Sequence, residues 1–295
     1  MVWNLSAFAD EAGPTIDQQI AALKQAGLKR IDIRGVDGFN ITTLPVEHAK
    51  LVREKLDRAG ITCAMYGSPI GKLDLADDSG IDQRKLQHLS RLAPVLGCTA
   101  VRIFSYYNEK AGKAPGDFRK EAIAWLKELR HAAKDLGLIL YHENESRIFG
   151  DKCADVLTLA EELRDGPDGT FRMIFDFGNY NAGGENAWEN WLKLRDLTDA
   201  IHLKDNLRNE DGTLYHVPAG EGGGFVQQIL SDAAKRGWTG PLTVEPHLQH
   251  SNAVVATGPS GVSNQAYAAM SGTESFLVAC RAAVDVIRGV GVTVN

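Results

Sequence analysis

The chain's 295 residues suffice for one large hydrophobic core or for two smaller ones. Apolar residues make up 44% and charged residues 24%, a balance that fits a water-soluble globular protein and excludes a disordered or fibrous chain. A net charge of −6, with no run of Lys or Arg, argues against nucleic acid or an anionic membrane as a partner.

The opening MVWNLSAFADE has no basic region and meets two acids by residue 11, so it is not read as a secretory signal. No stretch reaches the roughly 18 apolar residues of a membrane span. Cys63, Cys98, Cys153 and Cys280 lie far apart without a CxxC pair. They read as reduced core residues of a cytoplasmic protein, not as a disulfide or zinc framework.

Eight short runs rich in β-branched and aromatic residues read as strands: 2–9, 30–36, 62–68, 100–106, 138–144, 172–178, 200–205 and 241–247. Helical patterns separate them. The first begins at a capping box of Thr15 and Gln18 and stops at Gly27, and the last opens at a second box of Ser271 and Glu274. Eight β-then-α units predict an α/β fold, a (β/α)8 TIM barrel with a closed parallel eight-stranded sheet, as a single domain over 1–295. The alternative, a doubly wound open sheet, more often carries a Gly-rich phosphate turn after its first strand, and FADEAGPT is not one. The segment from His247 to Gly272 breaks the rhythm and reads as a lid, a binding loop or a homo-oligomer contact.

Reacting groups of such barrels sit at the C-terminal ends of the strands. The last four runs end in Glu143, Asp176, His202 and Glu245. Two Glu, one Asp and one His form a hard, oxygen-rich set with one imidazole, suited to one divalent ion, Mn²⁺ or Mg²⁺ foremost and Co²⁺ or Zn²⁺ as further candidates. A lone acid at a strand end is more often a helix cap, but four such groups on four successive apolar runs are hard to assign to caps. Strand alternation places Glu145 with Glu143, Lys204 with His202 and His247 with Glu245, while His142 points away into packing. His48, His88 and His131 fall on helix faces and read as solvated. Arg34 and Lys72 are further substrate-contact candidates. The AGEGGGF turn at 219–225 is read as shaping its connection, since Glu221 would repel the phosphate such a turn might hold.

In order along the chain, FADE, IDIRGVDG, GSPIGK, VRIFSYY, HENE with FGD, IFDFGN, HLKD, AGEGGGF and TVEPH resemble the xylose isomerase-like barrel family of sugar and sugar-phosphate isomerases and epimerases. The resemblance implies a divalent metal held by the residues matching Glu143, Asp176, His202 and Glu245, with the two Glu as catalytic acid–base pair. It also implies that Arg208, six residues after the histidine, contacts the substrate. Many members carry His three residues after the aspartate, where this chain has Asn179, so that contact is made here by an amide.

A divalent ion chelated by the two oxygens of a hydroxy-ketone acidifies the C–H between them, and carboxylates on two sides move the proton from face to face. The expected activity is therefore a metal-dependent sugar or sugar-phosphate isomerase or epimerase acting on a small carbohydrate. The alternative is an inosose-type dehydratase, a lyase using the same enediolate. A DNA-cleaving member would need extra His ligands and a basic face, which the acidic balance does not offer.

Overall fold

The computed structural model describes residues 1–166, 168–249, 252–255 and 261–295. Eight parallel strands form a nearly closed barrel: β1 (Leu5–Ala7), β2 (Arg30–Ile33), β3 (Thr62–Tyr66), β4 (Ala100–Ile103), β5 (Ile139–Glu143), β6 (Phe171–Asp176), β7 (Ala200–Leu203) and β8 (Leu242–Val244). The hydrogen-bonded order is β1-β8-β7-β6-β5-β4-β3-β2, and β1 lies beside β2 where the ring meets. Eight longer helices interleave with the strands: α1 (Ile16–Ala26), α2 (Val46–Ala59), α3 (Gly80–Leu96), α4 (Pro115–Asp135), α5 (Cys153–Leu163), α6 (Ala187–Leu194), α7 (Val226–Lys235) and α8 (Gly272–Gly289).

Local chemistry sets the helix ends. Both expected capping boxes form: Thr15 and Gln18 satisfy each other's backbone at the start of α1, and Ser271 and Glu274 do the same for α8. Gly27 ends α1 at φ 73°, a left-handed conformation that costs glycine little. All four cysteines are buried free thiols. Among the described residues no helix is long and apolar enough to cross a membrane.

Three expected strands are split. The first run divides into Val2–Trp3, which pairs with Thr293–Val294 near the chain's other end, and barrel strand β1. After β2 the chain folds back as a small hairpin of Gly35–Val36 with Phe39–Asn40. After β7, Asp205–Arg208 pairs antiparallel with Leu214–Val217, a hairpin absent from the expected elements. Of the loop expected over His247–Gly272, residues 250–251 and 256–260 lie outside the described ones. The described part includes a short helix, Asn252–Val255, and a 3₁₀ turn, Gln265–Tyr267.

Alternation within the strands positions the site. Tyr141, Ile174 and Ala200 belong to a small apolar cluster with Met65, and Glu143, Asp176 and His202 each lie two residues further along the same strand faces. The opposite faces, with Met173, Phe175, Ile201 and Leu203, join the large core between barrel and helices.

His142 follows this outward parity. It is fully buried, its ring stacks on Phe171, and its Nε2 lies 2.8 Å from Ser105 Oγ. The Ser105 hydroxyl donates to the Phe149 carbonyl, so Oγ accepts from His142 and the Nε2–H tautomer is fixed. His48 and His88 differ from the solvated reading: His48 Nε2 meets Asp37 at 2.7 Å and His88 Nε2 meets the Leu44 carbonyl at 2.9 Å. A side chain at the rim of a helix face still reaches the neighbouring loop. His131 is exposed, as read.

Burial lowers the pKa of His142 from 6.5 to about 3, against a smaller opposing pull from Glu143. The folded state keeps the ring neutral while the unfolded chain protonates it near 6.5. This contribution to stability is therefore present above that pH and lost as pH falls toward 3. A His142→Leu variant should be less stable at pH 7, through loss of the Ser105 bond. Its deficit against wild type should shrink by about 2 kcal/mol between pH 7 and pH 5 in urea titrations. A constant deficit would show that His142 does not carry this acid sensitivity.

Candidate metal centre

The four residues at the ends of the last four barrel strands meet. Ligand atoms of Glu143, Asp176, His202 and Glu245 all lie within 4.8 Å of one another, and no residue of the set is more than 3% exposed. Glu143 ends β5, Asp176 ends β6 and His202 lies in β7. Glu245 stands one residue past β8, its N–H still bonded to the Leu203 carbonyl at 3.1 Å.

Asn144 locks two of these strand ends. Its Oδ1 accepts from the Asp176 N–H at 2.9 Å and its Nδ2 donates to the Asp176 carbonyl at 3.1 Å. Asp176 Oδ1 in turn caps the short helix Phe177–Ala182 by accepting from the Asn179 N–H at 2.7 Å. One carboxylate oxygen is thus fixed by local structure, and Oδ2 is left for the centre.

Two buried cations face the carboxylates. Lys204 Nζ lies 2.6 Å from Glu245 Oε2 and 3.3 Å from Asp176 Oδ2. Arg102 Nη1 stands between the two glutamates, 3.3 Å from Glu143 Oε2 and 3.5 Å from Glu245 Oε1. His202 Nδ1 meets Glu143 Oε1 at 2.9 Å.

The protonation pattern follows from crowding. Burial pushes all three carboxyls up, but His202 and Arg102 bring Glu143 down to about 2, and Lys204 with His247 holds Glu245 well below the usual range. Asp176 is the exception. Its burial, with Glu143 and Glu245 beside it, outweighs Lys204 and raises it well above an ordinary aspartate. His202 is raised by Glu143 in spite of its burial. Among the three crowded carboxylates, Asp176 is the one whose ionised form is disfavoured.

Glu143 Oε2, Asp176 Oδ2 and His202 Nε2 are buried without a hydrogen bond. Unsatisfied buried polar atoms are rare and costly. A divalent cation suits this set: it adds charge that favours the ionised carboxylates and gives the atoms without a hydrogen bond a partner. The donors therefore fit a metal.

The other expected contacts divide. Lys204 is inside the cluster, and His247 adjoins it with Nε2 3.7 Å from Glu245 Oε1. The His247 N–H and Nδ1 both meet Glu11, at 2.8 Å each, and its backbone is left-handed at φ 49°. Asn179 donates its Nδ2 to the Asn144 carbonyl at 2.8 Å and borders the site. Lys72 reaches Glu145 at 3.2 Å, and Arg34 Nη1 lies 3.7 Å from Glu245 Oε1. Arg208 stands apart: it is exposed, and its guanidinium donates to the carbonyls of Gly212 and Ala182. The Gly-rich turn is already occupied, because the N–H groups of Gly220, Gly222 and Gly224 donate to the Asp205 carboxylate.

Arg102, Glu11 and Asn144 were not singled out from sequence. Each had a signal. Arg102 is a charge inside the apolar run AVRIF, Glu11 falls in FADE just past a strand, and Asn144 sits inside HENE.

No curated protein sequence matches the chain. Among solved structures, the fold is similar to the IOLI protein with a binding zinc atom: TM-score 0.74, 15% identity, covering 97% of this chain and 98% of that one. A probable 3-DHS dehydratase involved in petrobactin synthesis from Bacillus anthracis is similar with TM-score 0.67 and 15% identity, over 88% and 97% of the two chains. A xylose isomerase-like TIM-barrel protein from Mycobacterium smegmatis in complex with magnesium is similar with TM-score 0.63 and 17% identity, over 94% and 97%. The model of the xylose isomerase-like TIM barrel matches residues 20–263. With that match across most of the chain, and with eight parallel strands in a nearly closed ring, the chain belongs to the xylose isomerase-like TIM-barrel family.

Proposed function

We propose that the chain is a divalent-metal-dependent isomerase or epimerase that moves a proton between carbons of a keto sugar, acting as one domain. The observation that carries this is the buried set of Glu143, Asp176, His202 and Glu245, with atoms that lack a hydrogen bond on three of its four members. These four would hold the ion, and the oxygen-rich set favours Mn²⁺ or Mg²⁺. Bound there, it polarises the substrate carbonyl and stabilises the negative charge that develops as the neighbouring proton leaves.

The chain's own groups supply the proton transfer. Glu143 and Glu245 come from β5 and from just past β8, and Arg102 Nη1 lies between them. In this reading they work as two bases, one for each face of the reacting carbon. Arg102, Lys204 and His202 keep both ionised at neutral pH, as a base requires. Asp176 has one oxygen committed to its helix cap and serves as a ligand only. Arg208 has no part in these steps. Two of its five N–H groups donate to backbone carbonyls.

Elemental analysis of protein purified without chelator should find one divalent ion per chain. Asp176→Ala and His202→Ala should lose it, and the metal-free forms should melt lower, because an ion bound only by the folded state stabilises that state by mass action. Full metal occupancy in either variant would remove the ligand assignment.

Glu143→Gln and Glu245→Gln keep size and one oxygen but cannot accept a proton. Each should fold, and each should lose turnover by at least about 10²-fold. In D₂O, deuterium should enter the substrate at the carbon between carbonyl and hydroxyl, and each variant should retain exchange from one epimer only. Near-wild-type turnover in both would refute the two-base mechanism. Loss of water in place of exchange would make the chain a lyase.

A further inference from the structure

Beside the four-residue centre lies a cavity of about 610 Å³, bordered by Arg34, Lys72, Arg102, Phe104, Glu11 and the loop after β1. One wall interleaves cations with aromatic rings. The guanidiniums of Arg34 and Arg102 lie over the Phe8 ring at 4.9 and 4.8 Å, Arg102 also lies over Phe104 at 5.0 Å, and Lys72 Nζ lies over Phe104 at 4.5 Å. Stacking fixes the flat faces and leaves the N–H edges to do the recognition. Gly67 makes room for the stack, since a Cβ there would come within 2.5 Å of Phe8 and 3.0 Å of Arg34 Cβ.

Two nitrogens of these cations make no hydrogen bond, although one of them, Arg34 Nη1, lies 3.7 Å from Glu245 Oε1. Arg34 Nη1 and Arg102 Nε are buried without a hydrogen bond, on side chains 4% exposed that border the cavity. The cations also differ in how their charge is met. Arg34 has its own acids in Asp10, at 2.8 Å, and Glu11, at 3.2 Å, and Lys72 has Glu145. The acids on Arg102 are Glu143 and Glu245 alone among the described residues. Both are assigned to the ion in the function proposed above. With the ion in place, Arg102 keeps no acid that is not also a ligand of the ion.

We infer that the substrate carries a single carboxylate, bound in this cavity by Arg102 together with Arg34 Nη1, so that the enzyme acts on a keto sugar acid rather than on a neutral ketose or a phosphate ester. A planar guanidinium edge matches a carboxylate in two parallel hydrogen bonds. The backbone amides that would suit a phosphate, those of the Gly-rich turn, already hold Asp205. The inference rests on the metal reading of Glu143 and Glu245, and its test reads binding as well as turnover.

The test is calorimetric titration of the Mn²⁺-loaded protein with four probes: D-fructuronate, its uronamide, D-fructose and D-fructose 6-phosphate. The uronate should bind at least about tenfold more tightly than each of the others. Arg102→Gln should erase that preference, weakening the uronate about ten- to a hundredfold more than the uronamide. Arg102→Lys should restore part of it. Should Arg102→Gln fail to fold or to hold metal, the uronate–uronamide comparison on unaltered protein still decides. Equal affinity for uronate and uronamide overturns the carboxylate site, and preference for the phosphate overturns the monoanion. Arg102-dependent uronate binding without C–H exchange in D₂O upholds the carboxylate site and refutes the isomerase reading. Exchange on fructose with no preference for the uronate does the reverse.

Discussion

Three carboxylates at the mouth of an apolar barrel, close enough to share one ion, are the constraint around which this structure is arranged. Each carries a large desolvation cost, and together they repel one another. Lys204 bridges Asp176 and Glu245, and Arg102 bridges Glu245 and Glu143. The cations thus link the acids into one connected group rather than into separate pairs. The charges still do not balance, and the strain appears at Asp176, whose carboxyl is driven upward. A protein built for stability alone would gain by replacing such a cluster with packed apolar residues. Its persistence at the C-terminal end of the barrel is an argument for use.

The same constraint explains the rigid surroundings. Asn144 ties the ends of β5 and β6 with two hydrogen bonds, and Asp176 caps the helix that follows. Glu11 fixes His247 through both its backbone N–H and its ring, although the backbone there adopts a left-handed conformation that non-glycine residues rarely take. Local strain of this kind is held by over-determined contacts and gathers at functional sites. Beneath the centre, Met65, Tyr141, Ile174 and Ala200 pack as a small apolar cluster.

Much of this was legible in the sequence, for physical reasons. Parallel strands buried on both faces read as apolar runs, and a charge at the end of each run stands out, which is how Glu143, Asp176, His202 and Glu245 were found. Capping boxes are short-range, so Thr15 with Gln18 and Ser271 with Glu274 could be placed from four residues each. The hairpin Asp205–Arg208 with Leu214–Val217 was missed, although Asp211 and Gly212 between two extended runs form a known turn signal. Arg102 was missed because the eye reads acids and imidazoles as chemistry and passes over an arginine within a strand. Arg208 was named by resemblance alone. Its side chain meets carbonyls of its own loop and of Ala182, a long-range placement that no local pattern encodes.

The division of labour around the ring is the last step. The proposed metal ligands all come from β5 to β8, and Lys204 lies just past β7. The cavity wall comes from the other half: Phe8 follows β1, Arg34 follows β2, Gly67 and Lys72 follow β3, and Arg102 and Phe104 belong to the end of β4. In the proposed function, one half of the barrel holds the groups that would move a proton, and the other half faces the cavity beside them. Arg102 touches both, since Nη1 reaches the glutamates while Nε makes no hydrogen bond among the described residues and the side chain borders the cavity with Phe104. A barrel divided this way can change its substrate through loops after the first four strands while the chemistry of the last four stays intact. In this chain the first half is lined by stacked cations, so the substrate must answer to them whatever reaction the second half performs.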